Sequence, residues 1–300
     1  MRIFITGATG WIGTAVTDEL LKAGHHITGL ARNDTSAATL KAKGATPHPG
    51  SLDQPDTLAT AAAQADAVIH LAFNHDFTNY AAAGHTEHHA ITAMLDALAG
   101  TGRPFLFASG LAASDNGTPL TEDDPSPHHG ADSLRGGAEN LAQTYVDKGV
   151  RAIALRFAPT VHGTGDKGFT SVLTTIAQQH ATAAYIGDGT NQWAAVHRTD
   201  AAHLVHLALD NAPAGARVHA VAEDGIPTKD IAAAIGQSLG VPTTSIPPDK
   251  AEEHFGWMGR LFAADIAASH AATSRLLGWK PTGPTLFDDI SAGAYVPGAR

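Results

Sequence analysis

The first residues constrain this chain more than any other part of it. Arg2-Ile3-Phe4-Ile5-Thr6 is a short apolar run that leads directly into "GATGWIG", Gly7 to Gly13, and from there into an amphipathic pattern over Ile12–Ala23. Each glycine has its own physical task. Gly7 permits the tight turn out of the strand, and Gly10 lets backbone N–H groups approach a pyrophosphate. Gly13 lets the helix pack closely on the strand, and the helix N-terminus favours negative charge. The loop therefore predicts a dinucleotide site, with Gly7, Thr9, Gly10, Trp11, Ile12 and Gly13 as its contacts.

Strand and helix patterns alternate after this start. Strand candidates are Arg2–Thr6, His26–Ala31, Ala67–Leu71, Pro104–Ser109, Arg151–Phe157 and Arg217–Val221. Helical patterns run over Ile12–Ala23, Asp56–Ala63, Thr86–Ala99 and Gly136–Lys148. Such alternation predicts an α/β fold, a Rossmann-type doubly wound parallel sheet covered on both faces. Residues 1–158 form the dinucleotide-binding part, joined by the later strand near 217–221. Beyond Phe157 the rhythm is broken by "PTVHGTGDKGF" and "IGDGTNQW", so residues 159–300 are expected to build mainly a smaller, interleaved substrate-binding lobe.

Composition enters as a set of exclusions. A net charge of -10 with no basic run argues against nucleic acid or an anionic membrane as partner. Zero cysteines exclude a disulfide framework and thiolate metal sites. No apolar run reaches the roughly 20 residues that span a bilayer, and the start reads as a strand rather than a signal peptide. A cytoplasmic protein with a small-molecule substrate is the expectation.

The end of the second strand bears on cofactor choice. NAD-preferring proteins usually carry an acid there for the ribose 2′-hydroxyl, whereas "ITGLARND" places Ala31 and Arg32 at that point. A guanidinium pairs with a 2′-phosphate, so NADP(H) is preferred over NAD(H), although Asp34 lies close by.

Several further stretches resemble one family. "GSLDQPDTL" is similar to a "GDLxDxxxL" segment on the adenine side, with Ser51 for the usual Asp, and "ADAVIHLA" to the strand beneath the cofactor. "LRFAPTVHGTGD" resembles the "LRxxxVYGPGD" stretch beside the nicotinamide, with His162 for Tyr. "VHRTDAAHLVHLAL" and "RLLGWKPT" resemble "VHVDDVAxA" and "LGWxP". Over nearly its whole length the chain thus resembles the extended short-chain dehydrogenase/reductase superfamily, which includes epimerases, dehydratases and reductases. That resemblance implies cofactor contacts at Ser51, Leu52, Leu71, Ala72, Arg135, Pro159 and Val161. It implies a substrate pocket near Phe73, Gly110, His162, Trp193, His197 and Trp257, and a homodimer through Thr86–Ala99 and Gly136–Lys148.

The superfamily's catalytic pattern is altered. Its Tyr acts as proton donor or base, aided by a Lys four residues later, while a Ser polarises the substrate oxygen. Counting back from Glu139 of "SLRGGAENL" puts Arg135 at the Lys position and Ala131 at the Tyr position. In "FLFASGLA" the catalytic serine column falls on Gly110 with Ser109 one place early, and Ser109 is the candidate for that role. Candidate substitutes are His128 and His129 of "SPHHGADSL", since histidine transfers protons near neutral pH. Tyr80 is a further candidate, and Ser133, Asp132 and the "TEDD" at Thr121–Asp124 are weaker ones. Arg135 is suited to a cofactor ribose or an oxyanion.

Other groupings are read as structural. His85, His88 and His89 have metal-compatible helical spacing, but with 18 histidines such spacing arises by chance, and no metal is assigned. His203 and His206 read as partly buried helix residues. Phe255, Trp257, Met258 and Phe262 form either a hydrophobic lid or ordinary packing of the small lobe. The expected function is an NADP(H)-dependent oxidoreductase acting on a small, fairly apolar carbonyl or imine-like substrate, with a non-standard proton donor. Two alternatives stand beside it: a non-catalytic dinucleotide-binding sensor or scaffold, and an epimerase, dehydratase or isomerase that uses bound cofactor.

Overall fold

A computed structural model describes residues 1–74, 80–114 and 117–296; the side chain of Tyr80 lies outside the description. The chain begins with β1 (Arg2–Thr6), α1 (Trp11–Lys22), β2 (His26–Ala31), α2 (Asp34–Ala42), β3 (Thr46–Pro49), α3 (Pro55–Gln64) and β4 (Ala67–His70). It continues through α4 (Tyr80–Leu98), β5 (Pro104–Gly110), α5 (Ala138–Gln143) and β6 (Arg151–Phe157). The second part comprises β7 (Thr160–His162), α6 (Phe169–Gln179), β8 (Ala183–Ile186), β9 (Gln192–His197), α7 (Arg198–Asn211), β10 (Arg217–Ala220) and β11 (Glu223–Pro227). Then come α8 (Thr228–Leu239), β12 (Thr243–Ile246), α9 (Ala251–Phe255), α10 (Met258–Phe262), α11 (Ala271–Leu277) and α12 (Leu286–Ser291).

Seven strands form the main sheet in the order β10-β6-β5-β4-β1-β2-β3, each paired in parallel with its neighbours. Alternate residues face opposite ways, so Ile3, Ile5, Ile69 and Leu155 pack with Val16, Leu20, Val205 and Leu209 of α1 and α7. Phe4, Val68, Phe105 and Phe107 pack with Leu58, Ile91, Met94 and Leu95 of α3 and α4. Both faces are thereby covered, as a parallel sheet requires. Two small sheets, β11-β9-β7 and β12-β8, surround a third core containing Trp193, Ile231, Phe255 and Phe262.

Two local expectations need correction. β3 is an edge strand of sequence TPHP that the periodicity does not predict, because its two prolines cannot donate to a ladder and only an edge tolerates them. The helix expected over Gly136–Lys148 is only Ala138–Gln143. Arg135, Gly136 and Gly137 all have positive φ (52, 56 and 60°), which is left-handed backbone and cannot lie inside a right-handed helix.

The order of strands decides where a ligand goes. Connections from β1 and from β4 leave the carboxyl edge of the sheet in opposite directions, and a crevice opens between them. The glycine loop follows β1, and Leu71–Phe73 follow β4.

Candidate active site

The glycine loop is as tight as its sequence implies. Gly7 has φ of 70°, and a Cβ on it would lie 2.6 Å from the backbone N of Ala72. A Cβ on Gly13 would lie 1.9 Å from the Gly7 carbonyl oxygen, so α1 sits directly on the loop. Gly10 is the N-cap of α1 and no side chain caps that helix, which leaves its amide donors for an anion. Thr9, Trp11 and Ile12 are half-buried around this end. Trp11 donates from Nε1 to the Val161 carbonyl at 2.7 Å, and the Arg198 guanidinium lies 4.2 Å over its ring. This closes the loop against the segment containing Pro159 and Val161. Arg32 is exposed just beyond β2, next to Asn33, the N-cap of α2. Ser51 and Leu52 are half-buried nearby, where Gly50 donates to the Ala31 carbonyl. The arrangement fits a dinucleotide: a backbone cradle that Cβ atoms would fill, with a cation at the far end.

Behind the loop runs a chain of polar contacts that the sequence did not reveal. Thr6 Oγ1 accepts from Ala72 N and lies 2.7 Å from His70 Nδ1. His70 Nε2 faces Glu87 Oε1 at 3.7 Å, and Arg135 Nη2 donates to the same oxygen at 2.9 Å. The Arg135 guanidinium also lies 4.4 Å over the Phe73 ring. Burial pushes the Glu87 carboxyl up, but the Arg135 charge and His70 outweigh it and hold the group below the usual carboxylate range. The left-handed turn makes this pairing possible. A Cβ on Gly136 would lie 2.1 Å from the Gly84 carbonyl oxygen, so the turn presses directly onto α4, and His88 Nδ1 lies 2.7 Å from the Gly136 carbonyl oxygen. His85, by contrast, pairs with Asp132.

Ser109 belongs to a second network. Its hydroxyl donates to Glu139 Oε2 at 3.2 Å, and Glu139 is also gripped by Arg156 and Arg217. Burial raises the Glu139 carboxyl, yet the two guanidinium groups hold it below its ordinary range. Ser109 pairs in register with Arg156 across β5 and β6 and shares its face of the sheet. Gly110 faces the other way, and a Cβ there would meet no atom of the described residues within 4 Å. His128 is half-buried and burial lowers its pKa, while His129 is exposed. The amide of Asn140 binds the Ser126 and His128 carbonyls and fixes this loop. "TEDD" is a structural loop: the Asp124 carboxylate accepts from Thr121 N and Oγ1, and buried Glu122 accepts from Thr273 N.

In the smaller lobe, two expected pocket residues are closed off. Trp193 is fully buried between Phe169 and Phe262, and His162 is fully buried against α12. Their interior packing removes both from accessible pocket surface. Phe255, Met258 and Phe262 are likewise core residues rather than a lid, whereas Trp257 is 49% exposed. His197 is half-buried as the N-cap of α7, with Nδ1 accepting from Thr199 N.

His162 makes a pH test available. Its Nδ1 lies 2.6 Å from Asp289 Oδ2, and Nε2 is 3.7 Å from Glu223 Oε1. Burial opposes a charged ring, but Glu223 and Asp289 outweigh it and raise the pKa above the ordinary 6.5. A raised histidine adds stability that is complete below pH 6.5 and lost as pH climbs through the folded-state value. We expect His162→Gln to lower stability by about 1–2 kcal/mol at pH 6, with a smaller difference at pH 9. Urea unfolding at both pH values checks this; a difference that grows with pH contradicts it.

An all-parallel sheet with its strand order reversing between β1 and β4, and a glycine cradle seated at that reversal, defines a dinucleotide-binding α/β protein. The chain belongs to the NAD-dependent epimerase/dehydratase family, whose model matches residues 3–221. Members of this family are enzymes that bind NAD(P) and act on small molecules. The chain is 45% identical over 296 residues to an uncharacterized protein of Schizosaccharomyces pombe, covering 98% of this chain and 100% of that one. An uncharacterized protein of Saccharomyces cerevisiae is 42% identical over 294 residues, 97% and 98% of the two chains. The fold is similar to that of Thermus thermophilus UDP-glucose 4-epimerase, solved in complex with NAD, with a TM-score of 0.77 at 19% identity and 100% coverage of both chains. No helix among the described residues is long and apolar enough to cross a membrane.

Proposed function

We propose that this chain is an NADP(H)-dependent oxidoreductase that reduces a small, fairly apolar carbonyl or imine-like substrate, with a proton donor other than tyrosine. The carrying observation is Arg135. It stands where the family's lysine is expected, is held by buried Glu87, and lies over Phe73, one residue beyond the Ala72 that touches the glycine loop. When bound there, a nicotinamide supplies or accepts the hydride. Arg135 then stabilises a developing oxyanion or a ribose hydroxyl, but a guanidinium does not release a proton near neutral pH. The proton comes from His128, His129, Tyr80 or a water beside Ser109, and an imine nitrogen lessens the need for a strong acid. Burial lowers the His128 pKa, which makes its protonated ring a stronger acid but a less populated one. Gly7, Gly10 and Gly13 carry the pyrophosphate, with Thr9, Trp11, Ile12, Ser51, Leu52, Leu71, Ala72, Pro159 and Val161 around the cofactor. Phe73, Gly110, His197 and exposed Trp257 shape the substrate side, which residues 159–300 complete. The same reading takes the protein as cytoplasmic and a homodimer through α4 and α5.

The test is NADPH consumption by purified protein against aldehydes, ketones and cyclic imines. Turnover of at least one class supports the reading. Cofactor binding without turnover overturns it in favour of a sensor, and product formed without net cofactor change overturns it in favour of an epimerase or dehydratase. Arg32→Asp addresses the cofactor: loss of a charge-assisted phosphate contact of about 1.5–3 kcal/mol weakens NADPH at least tenfold and leaves NADH nearly unchanged. Equal effects on both cofactors refute the NADP(H) assignment.

A further inference from the structure

Near the C-terminal end of α1 and midway along α7, three side chains converge on one point. Glu19 of α1 presents Oε1 3.1 Å from His203 Nδ1 and 3.4 Å from His206 Nδ1 of α7, and the three ligand atoms all lie within 4.8 Å of one another. Zinc binds such nitrogen and oxygen donors at about 2.0–2.1 Å, which gives a tetrahedral ligand–ligand edge of about 3.3 Å. Both contacts are close to that edge. His203 and His206 lie three residues apart on one face of α7, and the two helices pack side by side, so the backbone fixes the approach.

The surroundings supply what a metal-binding histidine needs behind it. With Nδ1 of His206 facing Glu19, its opposite nitrogen Nε2 lies 3.5 Å from Asp210 Oδ2, one turn further along α7. A carboxylate on the far nitrogen fixes the tautomer and makes the ligating nitrogen more basic. His25 packs edge-on against the His206 ring at 5.8 Å and restrains its rotation. His203 is 49% exposed on its side chain, so an ion can enter from solvent and keep water in the remaining position.

We propose that Glu19, His203 and His206 form a divalent transition-metal site of zinc type, with Asp210 and His25 as its supporting residues. The ion ties α1 to α7. These are the two helices whose first residues, Trp11 and Arg198, stack at the cofactor loop. A metal bound only by the folded protein also stabilises it by mass action.

The test uses tag-free protein stripped with a chelator. Zn²⁺ is titrated calorimetrically, and the melting temperature is recorded with and without it. We expect one saturable site per chain, a melting temperature raised by zinc, and affinity at least tenfold weaker in His206→Ala and in His203→Ala. Asp210→Asn weakens binding by about tenfold or more through the loss of the supporting carboxylate. His180→Ala, which removes an exposed histidine elsewhere, leaves binding unchanged. Metal-free melting temperatures of the variants equal to wild type exclude unfolding as the cause. If a histidine variant melts early, Asp210→Asn decides. The proposal is overturned if wild type shows no saturable binding, if His206→Ala binds as tightly as wild type, or if His180→Ala abolishes binding. Loss in His25→Ala with none in His203→Ala also overturns it, by placing the ion on the other nitrogen of His206.

Discussion

Gly13→Ala will lose measurable NADPH binding and will also be destabilised. The added Cβ would lie 1.9 Å from the Gly7 oxygen, 2.8 Å from its carbonyl carbon and 3.0 Å from Ala8 Cα. All three are backbone atoms, so no side-chain rotation relieves the contact. The helix must lift from β1, and its N-terminal amides move with it. Overpacking of this kind costs about 1–3 kcal/mol, and more where the backbone cannot yield. A cradle displaced by an ångström loses the contacts that make it an anion site, so affinity should fall at least a hundredfold, or about 2.7 kcal/mol. Fluorescence titration of NADPH gives the affinity and urea unfolding gives the stability. Wild-type affinity in Gly13→Ala would mean that the pyrophosphate does not lie on this loop.

Arg135→Ala is expected to have the largest effect on stability. Glu87 is wholly buried, and besides Arg135 the His70 imidazole lies 3.7 Å from it. Removing one partner of a buried pair leaves the other charge uncompensated, which costs roughly 3–5 kcal/mol, with the lower figure fitting a pair whose arginine is 23% exposed. Alanine and arginine meet similar strain at φ of 52°, so the substitution isolates the side chain. The double variant Glu87→Gln, Arg135→Ala should recover part of the loss, because it removes the stranded charge. Because the Glu87 carboxyl is held below its ordinary value, its pairing adds stability above that value and loses it as pH falls. The wild-type advantage over Arg135→Ala should therefore shrink on acidification. A loss under 1 kcal/mol at pH 7, or one that grows toward acid, contradicts the pairing.

What the sequence displays well is periodic. Ile3, Phe4 and Ile5 alternate between two helical layers, and six parallel strands are visible as apolar runs because both faces of the sheet are buried. β3 escapes because an edge strand needs neither alternation nor donors on both sides. The glycine loop is also legible, since strand, turn and helix are consecutive in the chain. The functional networks are not consecutive. Glu139 is recognisable as a helix-start acid, but its grip on Ser109, Arg156 and Arg217 joins residues up to 78 positions apart. His162 reads as a pocket residue beside the cofactor strand. Only the docking of α12, with Asp289, turns it into the interior.

By itself, then, the sequence determined the parallel sheet and the glycine cradle, because local spacing and side-chain period suffice for those. Tertiary structure decided the rest. It placed Glu87 under Arg135 through a left-handed turn that looks helical in sequence, and turned Gly110 away from the face that Ser109 shares with Arg156. It also brought Glu19 to His203 and His206 across 184 and 187 residues. Charge pairing and ligand geometry depend on distances through space, and those are fixed only when helices pack on the sheet.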